Sequence, residues 1–236
     1  MGVFIAFGYG PGISHATAKR FATEGYSIAL VGRNEARLAD GVQQLTADGF
    51  TARAYQADAS DAAQIRRAIS QIRGDLGAVS AVLWTAFRNG DVANILDAEP
   101  EEIHQVFAVG ITGLLACVQE VAEDLKSSAN GAILVANGAL GEPTTESDAF
   151  AKLLNVDGTA LENAAKSKLV GILAERLKDS GIYVGEITIA GSIKNTPTAT
   201  ATAIDPSDIA DTYWSLLQKR DTTRTRVVET ATAPTT

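Results

Sequence analysis

Glycines near the N-terminus have a spacing that suits phosphate binding. The segment Gly8-Tyr9-Gly10-Pro11-Gly12-Ile13-Ser14 follows a short apolar run, residues 3–7, and precedes a stretch with helical periodicity. Gly8 permits a tight turn out of a strand, and Gly12 lets the backbone approach a pyrophosphate closely. A helix that begins near Gly12 would offer free N–H groups and a partial positive charge to the phosphates. The pattern predicts a dinucleotide-binding turn, and the alternative is a plain sharp turn stiffened by Pro11.

The end of the second apolar run bears on which dinucleotide fits. Leu30-Val31-Gly32-Arg33-Asn34 contains no acid, and the first carboxylate is Glu35, inside the next helix. A carboxylate at this point usually holds a ribose 2′-hydroxyl, whereas a 2′-phosphate needs a cation. Arg33 supplies a cation that does not titrate and can bind phosphate through two N–H groups. This favours NADP(H) over NAD(H), with His15 close enough to help, and the alternative is a solvated Arg33 at a helix start.

Apolar runs alternate with helical periods along most of the chain, and this alternation predicts the fold class. Strands and helices joined by short connections indicate βαβ units and a parallel sheet covered on both faces. We expect an α/β fold with a single doubly wound sheet of about seven strands, in one domain spanning 1–236. Segments 142–158 and 192–205 are expected as loops near a substrate, and 230–236 as a flexible tail. Strands are predicted at residues 3–7, 27–31, 51–56, 79–84, 132–136 and 182–189.

Composition excludes several classes of protein. Of 236 residues 46% are apolar, and 20 basic residues against 28 acidic ones give a net charge of −8. An acidic chain without basic clusters is a poor candidate for nucleic acid or an anionic membrane surface. One cysteine, Cys117, and two histidines leave no disulfide and no metal centre of the usual types. Without a signal peptide or a run of about 20 apolar residues, we expect a cytoplasmic protein with a small-molecule ligand and no membrane span.

The phosphate loop resembles the G-x-x-x-G-x-G turn of the short-chain dehydrogenase/reductase family, with Ser14 at the third glycine. The resemblance continues near the C-terminus. Residues 180–184 resemble the family's entry to its sixth strand, and residues 205–210 resemble the start of its last helix. The resemblance implies a Rossmann fold, a nicotinamide cofactor and a small carbonyl or alcohol substrate. It also implies that Asp58 receives a hydrogen bond from the adenine amino group, although Asp58 equally suits a turn before Ser60 and Asp61. The cofactor-binding residues that we expect are Gly8, Tyr9, Gly10, Gly12, Ile13, Ser14, Arg33, Asp58 and Ala59.

The family's catalytic residues do not carry over to this chain. Its serine, asparagine, tyrosine and lysine correspond here to Gly138, Gly110, Thr159 and Asn163, and none of these residues can transfer a proton near neutrality. No tyrosine lies between residues 138 and 182. The pattern indicates an atypical branch of the family whose catalytic residues are unknown. Three lysines in the region, each more typical of a solvated surface but able to reach a ribose, are Lys152, Lys166 and Lys168.

Three functions remain open. The first is an NADP(H)-dependent oxidoreductase whose proton comes from water or from an acid such as Glu142, Glu146 or Asp148. The second is a non-catalytic NADP(H)-binding protein, such as a redox sensor or a partner subunit. The third is a protein that binds another nucleotide or a small acid through the same loop.

Surplus apolar residues on two helices predict a homodimer or homotetramer, because an apolar face on a soluble protein usually marks an interface. The family resemblance implies that these two helices pair across a two-fold axis. The stripes expected to face the core are Ile103, Phe107, Leu114, Val118 and Val121 on the first helix, and Leu161, Ala165, Leu169, Ile172 and Leu177 on the second. The residues off these stripes, expected at the interface, are Val106, Val109 and Cys117, with Ala164, Val170 and Ala174.

Overall fold

A computed structural model describes residues 2–87 and 92–229. Seven strands among these residues form one sheet, and every neighbouring pair is parallel. The predicted α/β class with a doubly wound parallel sheet is therefore confirmed. The strands are β1 (Val3–Phe7), β2 (Ser27–Gly32), β3 (Ala52–Gln56), β4 (Val79–Trp84), β5 (Ala132–Gly138), β6 (Tyr183–Ala190) and β7 (Arg224–Val228), in the order β3-β2-β1-β4-β5-β6-β7.

Helices cover both faces of the sheet because alternate strand residues point to opposite sides and the central strands are mostly apolar. In β1, Phe4 and Ala6 join one core cluster, whereas Val3, Ile5 and Phe7 join the other. The helices are α1 (Ile13–Thr23), α2 (Glu35–Ala47), α3 (Ala62–Leu76), α4 (Pro100–Phe107), α5 (Leu114–Ser127), α6 (Thr145–Leu154), α7 (Asp157–Leu177) and α8 (Pro206–Lys219).

The strand order reverses beside β1, which pairs with β2 on one side and with β4 on the other. The chain runs outward from β1 to β3 and then returns to start the second half at β4. In such sheets the connections at this switch point leave a crevice at the carboxyl ends of the strands, where ligands bind.

Helices α4 and α5 are joined by a π-helical segment, Ala108–Gly113, into one helix of 28 residues. By length and composition this helix could cross a membrane, and half of its most apolar window is buried in the fold. Leu114, Cys117 and Val121 pack in the core beside β4, as expected for the central helix of a globular protein. A helix that passes this test is therefore weak evidence for a membrane span.

The segment 142–158 was wrongly expected to be a loop. It contains α6, whose first turn is capped by Thr144, because the Thr144 hydroxyl accepts a hydrogen bond from the Ser147 amide at 3.1 Å. Asn155 ends the helix in a left-handed conformation. Residues 192–205 are irregular apart from a bridge between Ile193 and Ile204, and the tail 230–236 lies outside the described residues.

The predicted core stripe on α7 is wrong in part. Leu161 and Ile172 are 39% and 48% exposed, whereas Leu169 and Leu177 pack against the core. The buried face also carries Glu162, Asn163 and Lys166. Four of the six residues expected at a subunit interface are instead buried in the chain's own core, whereas Ala164 is exposed and Ala174 is half-buried. The four are Val106, Val109, Cys117 and Val170. The oligomer stays a prediction, now resting on the exposed apolar face of α7.

Candidate functional site

The phosphate loop joins β1 to α1 and leaves backbone donors free. Gly8 adopts a φ of +82°, and a Cβ there would lie 2.3 Å from the Ala86 amide nitrogen, so this turn requires glycine. Ser14 closes the loop, because its hydroxyl accepts from the Gly10 amide at 2.8 Å and donates to the Gly10 carbonyl. Among the described residues, no acceptor binds the N–H groups of Gly12, Ile13 or Ser14. These amides at a helix N-terminus fit a phosphate group.

A cavity of about 630 Å³ extends from this loop along the ends of β2 and β3. We call it the smaller cavity. Arg33 and Arg37 both line it, because α2 begins directly after β2 and places its first turn at the cavity rim. Arg37 was missed at the sequence level, although its spacing of four residues from Arg33 was a usable signal. The predicted residues that line this cavity are Gly8, Tyr9, Arg33, Asp58 and Ala59.

Asp58 is the only acid lining the smaller cavity among the described residues. Its Oδ1 accepts hydrogen bonds from the Ser60 amide at 2.8 Å and the Ser60 hydroxyl at 2.7 Å, so it performs the turn role. Its Oδ2 lies 3.9 Å from Nη1 of Arg33. Asp61, not Asp58, caps α3.

Tyr9 and His15 contribute to the structure of the phosphate loop rather than to the positive charge of the site. The Tyr9 hydroxyl lies 2.8 Å from Nδ1 of His15, and the Tyr9 ring packs where a Cβ on Gly41 of α2 would stand. Burial lowers the pKa of His15 below its ordinary value, with help from Lys19. His15 is therefore neutral at pH 7 and adds no positive charge to the site.

A larger cavity of about 1270 Å³ lies beside the smaller one and shares Thr85 and Phe87 with it. We call it the larger cavity. It is bounded by the ends of β5 and β6, by α6 and α7, and by segment 192–202. Ile13 of the phosphate loop also lines the larger cavity, so the two cavities lie side by side at the carboxyl end of the sheet. Its apolar wall contains Phe87, Leu140, Phe150, Leu154 and Ile189.

Two glycines, at positions predicted to correspond to polar family residues, leave space for side chains of α7. A Cβ on Gly138 would lie 2.5 Å from the Asn163 side-chain nitrogen, and a Cβ on Gly110 would lie 2.0 Å from Oε1 of Glu162. Thr159 and Asn163 line the larger cavity, and the buried Thr159 hydroxyl has no hydrogen-bond partner among the described residues. Of the four family positions, Gly138, Thr159 and Asn163 therefore meet at one cavity, and Gly110 makes room for a carboxylate.

Lys166 also lines the larger cavity and is only 2% exposed, contrary to its expected solvation. Burial lowers the pKa of its amine, while Glu162 and Glu186 act in the opposite direction. Glu186 on β6 is fully buried and accepts hydrogen bonds from Asn137, Ser167 and Arg224 at 2.6, 3.1 and 3.1 Å. The Glu162–Lys166 spacing of four residues on one helix was the available sequence signal.

The acidic residues considered as proton donors divide into two groups. Of the three acids named as candidate donors, Glu142 and Glu146 line the larger cavity, whereas Asp148 does not. Glu142 pairs with Arg226, with Oε1 and Nε 2.7 Å apart. Asp157 instead accepts a hydrogen bond from the Ile95 amide at 2.9 Å. Among the described residues, no cluster of acids, histidines and cysteines could hold a metal ion.

Comparison with known proteins decides the family. A model described as short chain dehydrogenase matches residues 3–148, which is more than half of the chain. The chain belongs to the short chain dehydrogenase family. Members of this family bind nicotinamide cofactors and act as oxidoreductases, and the free amides of the phosphate loop fit the pyrophosphate of such a cofactor.

Curated relatives of this family member match it over part of their length. A 2,3-dihydro-2,3-dihydroxybenzoate dehydrogenase of Bacillus subtilis (strain 168) is 32% identical over 152 residues, which cover 62% of this chain and 57% of that protein. The probable oxidoreductase EphD of Mycobacterium tuberculosis is 26% identical over 189 residues, covering 80% of this chain and 30% of that protein. The chain thus spans little more than half of the first relative and less than a third of the second.

Solved structures share the fold over nearly the whole chain. A 3-ketoacyl-ACP reductase from Sinorhizobium meliloti 1021 has a TM-score of 0.83 at 23% identity, covering 96% of this chain and 97% of that one. An NADPH-bound short chain oxidoreductase from Pseudomonas aeruginosa PAO1 containing an atypical catalytic centre has a TM-score of 0.84 at 19% identity. That match covers 98% of this chain and 96% of the other.

Proposed function

We propose that this family member is an NADP(H)-dependent oxidoreductase of an atypical branch, acting on a small carbonyl or alcohol without the Ser/Tyr/Lys pattern. One observation carries the proposal: a cavity with two arginines, next to the free amides of the phosphate loop, lies beside a second cavity large enough for a substrate and shares Thr85 and Phe87 with it. A dinucleotide lying along the smaller cavity would reach the larger one past Thr85 and Phe87. Hydride transfer needs this adjacency of cofactor and substrate.

The preference for NADP(H) rests on charge at the end of β2. Arg33 is 77% exposed and free to turn toward a 2′-phosphate, and Arg37 stands one helical turn further on. The one acid among the described residues of this cavity, Asp58, is occupied by Ser60 and faces Arg33. The P. aeruginosa structure of similar fold contains NADPH, which supports the same choice.

The residues of the chain have separate roles in this proposal. Gly12, Ile13 and Ser14 would hold the pyrophosphate through their free backbone amides, and Gly8 and Gly10 would allow its close approach to the loop. Tyr9, Asp58 and Ala59 would border the adenosine half of the cofactor. The bound nicotinamide would supply hydride chemistry, and Phe87, Phe150 and Leu154 would exclude water from an apolar substrate.

A non-catalytic NADP(H)-binding protein is the second candidate. It is favoured by one observation, the loss of all four family catalytic types at Gly110, Gly138, Thr159 and Asn163. A sensor has no need of a large apolar cavity beside the cofactor, so we rank it second. In either case we propose a cytoplasmic homodimer or homotetramer that binds no nucleic acid and no membrane.

Calorimetric titration of NADPH and NADH tests the cofactor proposal. Arg33→Ala and Arg37→Ala should each weaken NADPH about 10- to 150-fold and leave NADH nearly unchanged, since a charge-assisted contact is worth about 1.5–3 kcal/mol. Arg53→Ala is the matched control, because Arg53 is an exposed arginine paired with Asp75 outside this cavity. Equal losses for both cofactors, or no binding of either, would refute the proposal.

A further inference from the structure

The amine of Lys166 is a buried titratable group beside the larger cavity. Lys166 is 2% exposed and lines this cavity together with Thr159 and Asn163 of the same helix. Two carboxylates, Glu162 and Glu186, act electrostatically on the amine. A buried ammonium is costly even beside carboxylates, and such groups are frequent at functional sites.

We propose that Lys166 is the catalytic proton-transfer residue of this protein, exchanging a proton between its Nζ and the substrate oxygen. The inference rests on the proposed oxidoreductase function. In carbonyl reduction, NADPH supplies a hydride to the carbonyl carbon and is oxidised to NADP⁺. The carbonyl π electron pair moves to oxygen, an Nζ–H bond breaks, and that proton completes the hydroxyl. Solvent water then returns a proton to the neutral amine, and alcohol oxidation runs in the reverse direction.

The other titratable groups of the larger cavity are unsuited to this step. Glu142 is paired with Arg226, and an arginine cannot lose its proton in a protein. Hydrogen bonds from Thr200 and Thr202 hold the pKa of Glu229 at about 2, so it stays a carboxylate. Glu146 lies on the exposed first turn of α6. Among the described cavity residues, Lys166 alone combines burial with a pKa displaced toward neutrality.

The surroundings of Lys166 poise it between two protonation states. Glu162 faces it from the same helix, one turn earlier, and Glu186 faces it from β6. Both carboxylates favour the ammonium, and burial favours the neutral amine more strongly. From β5 and the π-helical segment, Asn137 and Gly110 add no charge. Gly110 leaves the space that Glu162 occupies, so we assign Glu162 as a positioning residue for Lys166.

Reductive methylation with formaldehyde and cyanoborohydride, followed by peptide mass spectrometry across a pH series, tests the state of the amine without any substrate. Lys168 is the internal control, because it is exposed on the same helix two residues away. Slow access of the reagents to the cavity lowers the methylation rate of Lys166 by the same factor at every pH. The shape of the plot of rate against pH therefore reports the protonation of the amine. The methylation rate of Lys166 should reach its plateau at a lower pH than that of Lys168. Saturating NADPH should slow the methylation of Lys166 but not that of Lys168. Matching profiles, no reaction of Lys166 at any pH, or no effect of NADPH would overturn the proposal.

Variants separate proton transfer from a structural role. Lys166→Met is nearly isosteric and removes a buried charge, and Lys166→Arg keeps the charge but cannot release a proton. Both should lower turnover of a carbonyl substrate by about 10²–10⁴-fold while NADPH affinity stays within about threefold of wild type. Lys168→Met should match the wild type. Turnover of Lys166→Met or Lys166→Arg within tenfold of wild type would overturn the assignment.

A chemical rescue gives a readout that a structural role would not move. Lys166→Cys treated with bromoethylamine regains an amine as thialysine, which is a weaker base than lysine. Activity in reduction should return, with its alkaline limb shifted to lower pH, because a proton donor fails above its own pKa. Treated wild type is the control, since Cys117 is fully buried. An alkaline limb of the pH–activity profile that does not shift would overturn the proposal. A wild type that binds NADPH but reduces no carbonyl in a broad panel would instead refute the oxidoreductase function itself.

Discussion

Gly138 is predicted to correspond to the family's serine, and its surroundings give a steric reason for glycine that can be tested by adding one carbon. A Cβ at this position would lie 2.5 Å from the Asn163 side-chain nitrogen, closer than non-bonded carbon and nitrogen atoms approach. Asn163 is 5% exposed, and its backbone carbonyl is fixed by a 2.9 Å hydrogen bond from Asn137. The side-chain amide must turn toward the larger cavity to admit this Cβ, so Gly138→Ala should cost stability at the low end of the range for an overpacked core.

Overpacking of this kind costs about 1–3 kcal/mol of unfolding free energy. For a chain of this length, that lowers the melting temperature by about 2–12 °C. The measurement is urea and thermal unfolding in the absence of cofactor. Gly10→Ala is the matched control, because nothing lies within 4 Å of a Cβ at Gly10, and its unfolding free energy should stay within about 0.5 kcal/mol of wild type.

A double-mutant cycle assigns the cost to one contact. Asn163→Ala removes the obstructing amide, so Gly138→Ala should be better tolerated in that background, with a coupling energy of about 1–3 kcal/mol. If Gly138→Ala unfolds like the wild type, or if the two substitutions are simply additive, the steric account of this glycine is wrong.

Two further predictions concern the rim of the larger cavity and the exposed face of α7. The pKa of Glu229 is lowered to about 2 by hydrogen bonds from Thr200, Thr202 and Ser192. The contribution of Glu229 to stability is therefore present above pH 4.5 and disappears as the pH falls toward 2. Melting temperature plotted against pH between about 2 and 6 should have a shallower slope for Glu229→Gln than for the wild type, and an unchanged slope would contradict this. Light scattering at micromolar concentration should give a multiple of 24.6 kDa, and Ile172→Glu should reduce it to the monomer; a monomeric wild type would remove the basis for an oligomer.

Local chemistry explains why several residues that line the smaller cavity could be predicted. The glycine at position 8 is demanded by its own backbone conformation, and the arginine at position 33 follows its strand by one residue. These features depend on neighbours within a few positions, so the sequence shows them directly. Arg37 was missed because only the residues from Leu30 to Glu35 were considered at the end of this strand.

The arrangement of residues around the larger cavity could not be predicted, because it depends on contacts between distant segments of the chain. Periodicity on α7 selected the face with Leu161 and Ile172 as buried, since apolar side chains normally turn inward. The fold instead turns Glu162 and Lys166 inward, where Glu186 of a strand twenty residues later helps to compensate the buried amine. No local pattern distinguishes a buried lysine from a solvated one.

The sequence by itself therefore determined the alternation of strands and helices, the phosphate loop and the absence of a tyrosine in the catalytic segment, because each is a property of neighbouring residues. Only the tertiary structure decided which face of α7 is buried and that Gly110 and Gly138 make room for Glu162 and Asn163. The reason is that burial of a charge depends on the groups brought beside it by other parts of the chain. Those groups come here from β5, β6 and α7, which meet only when the sheet has formed.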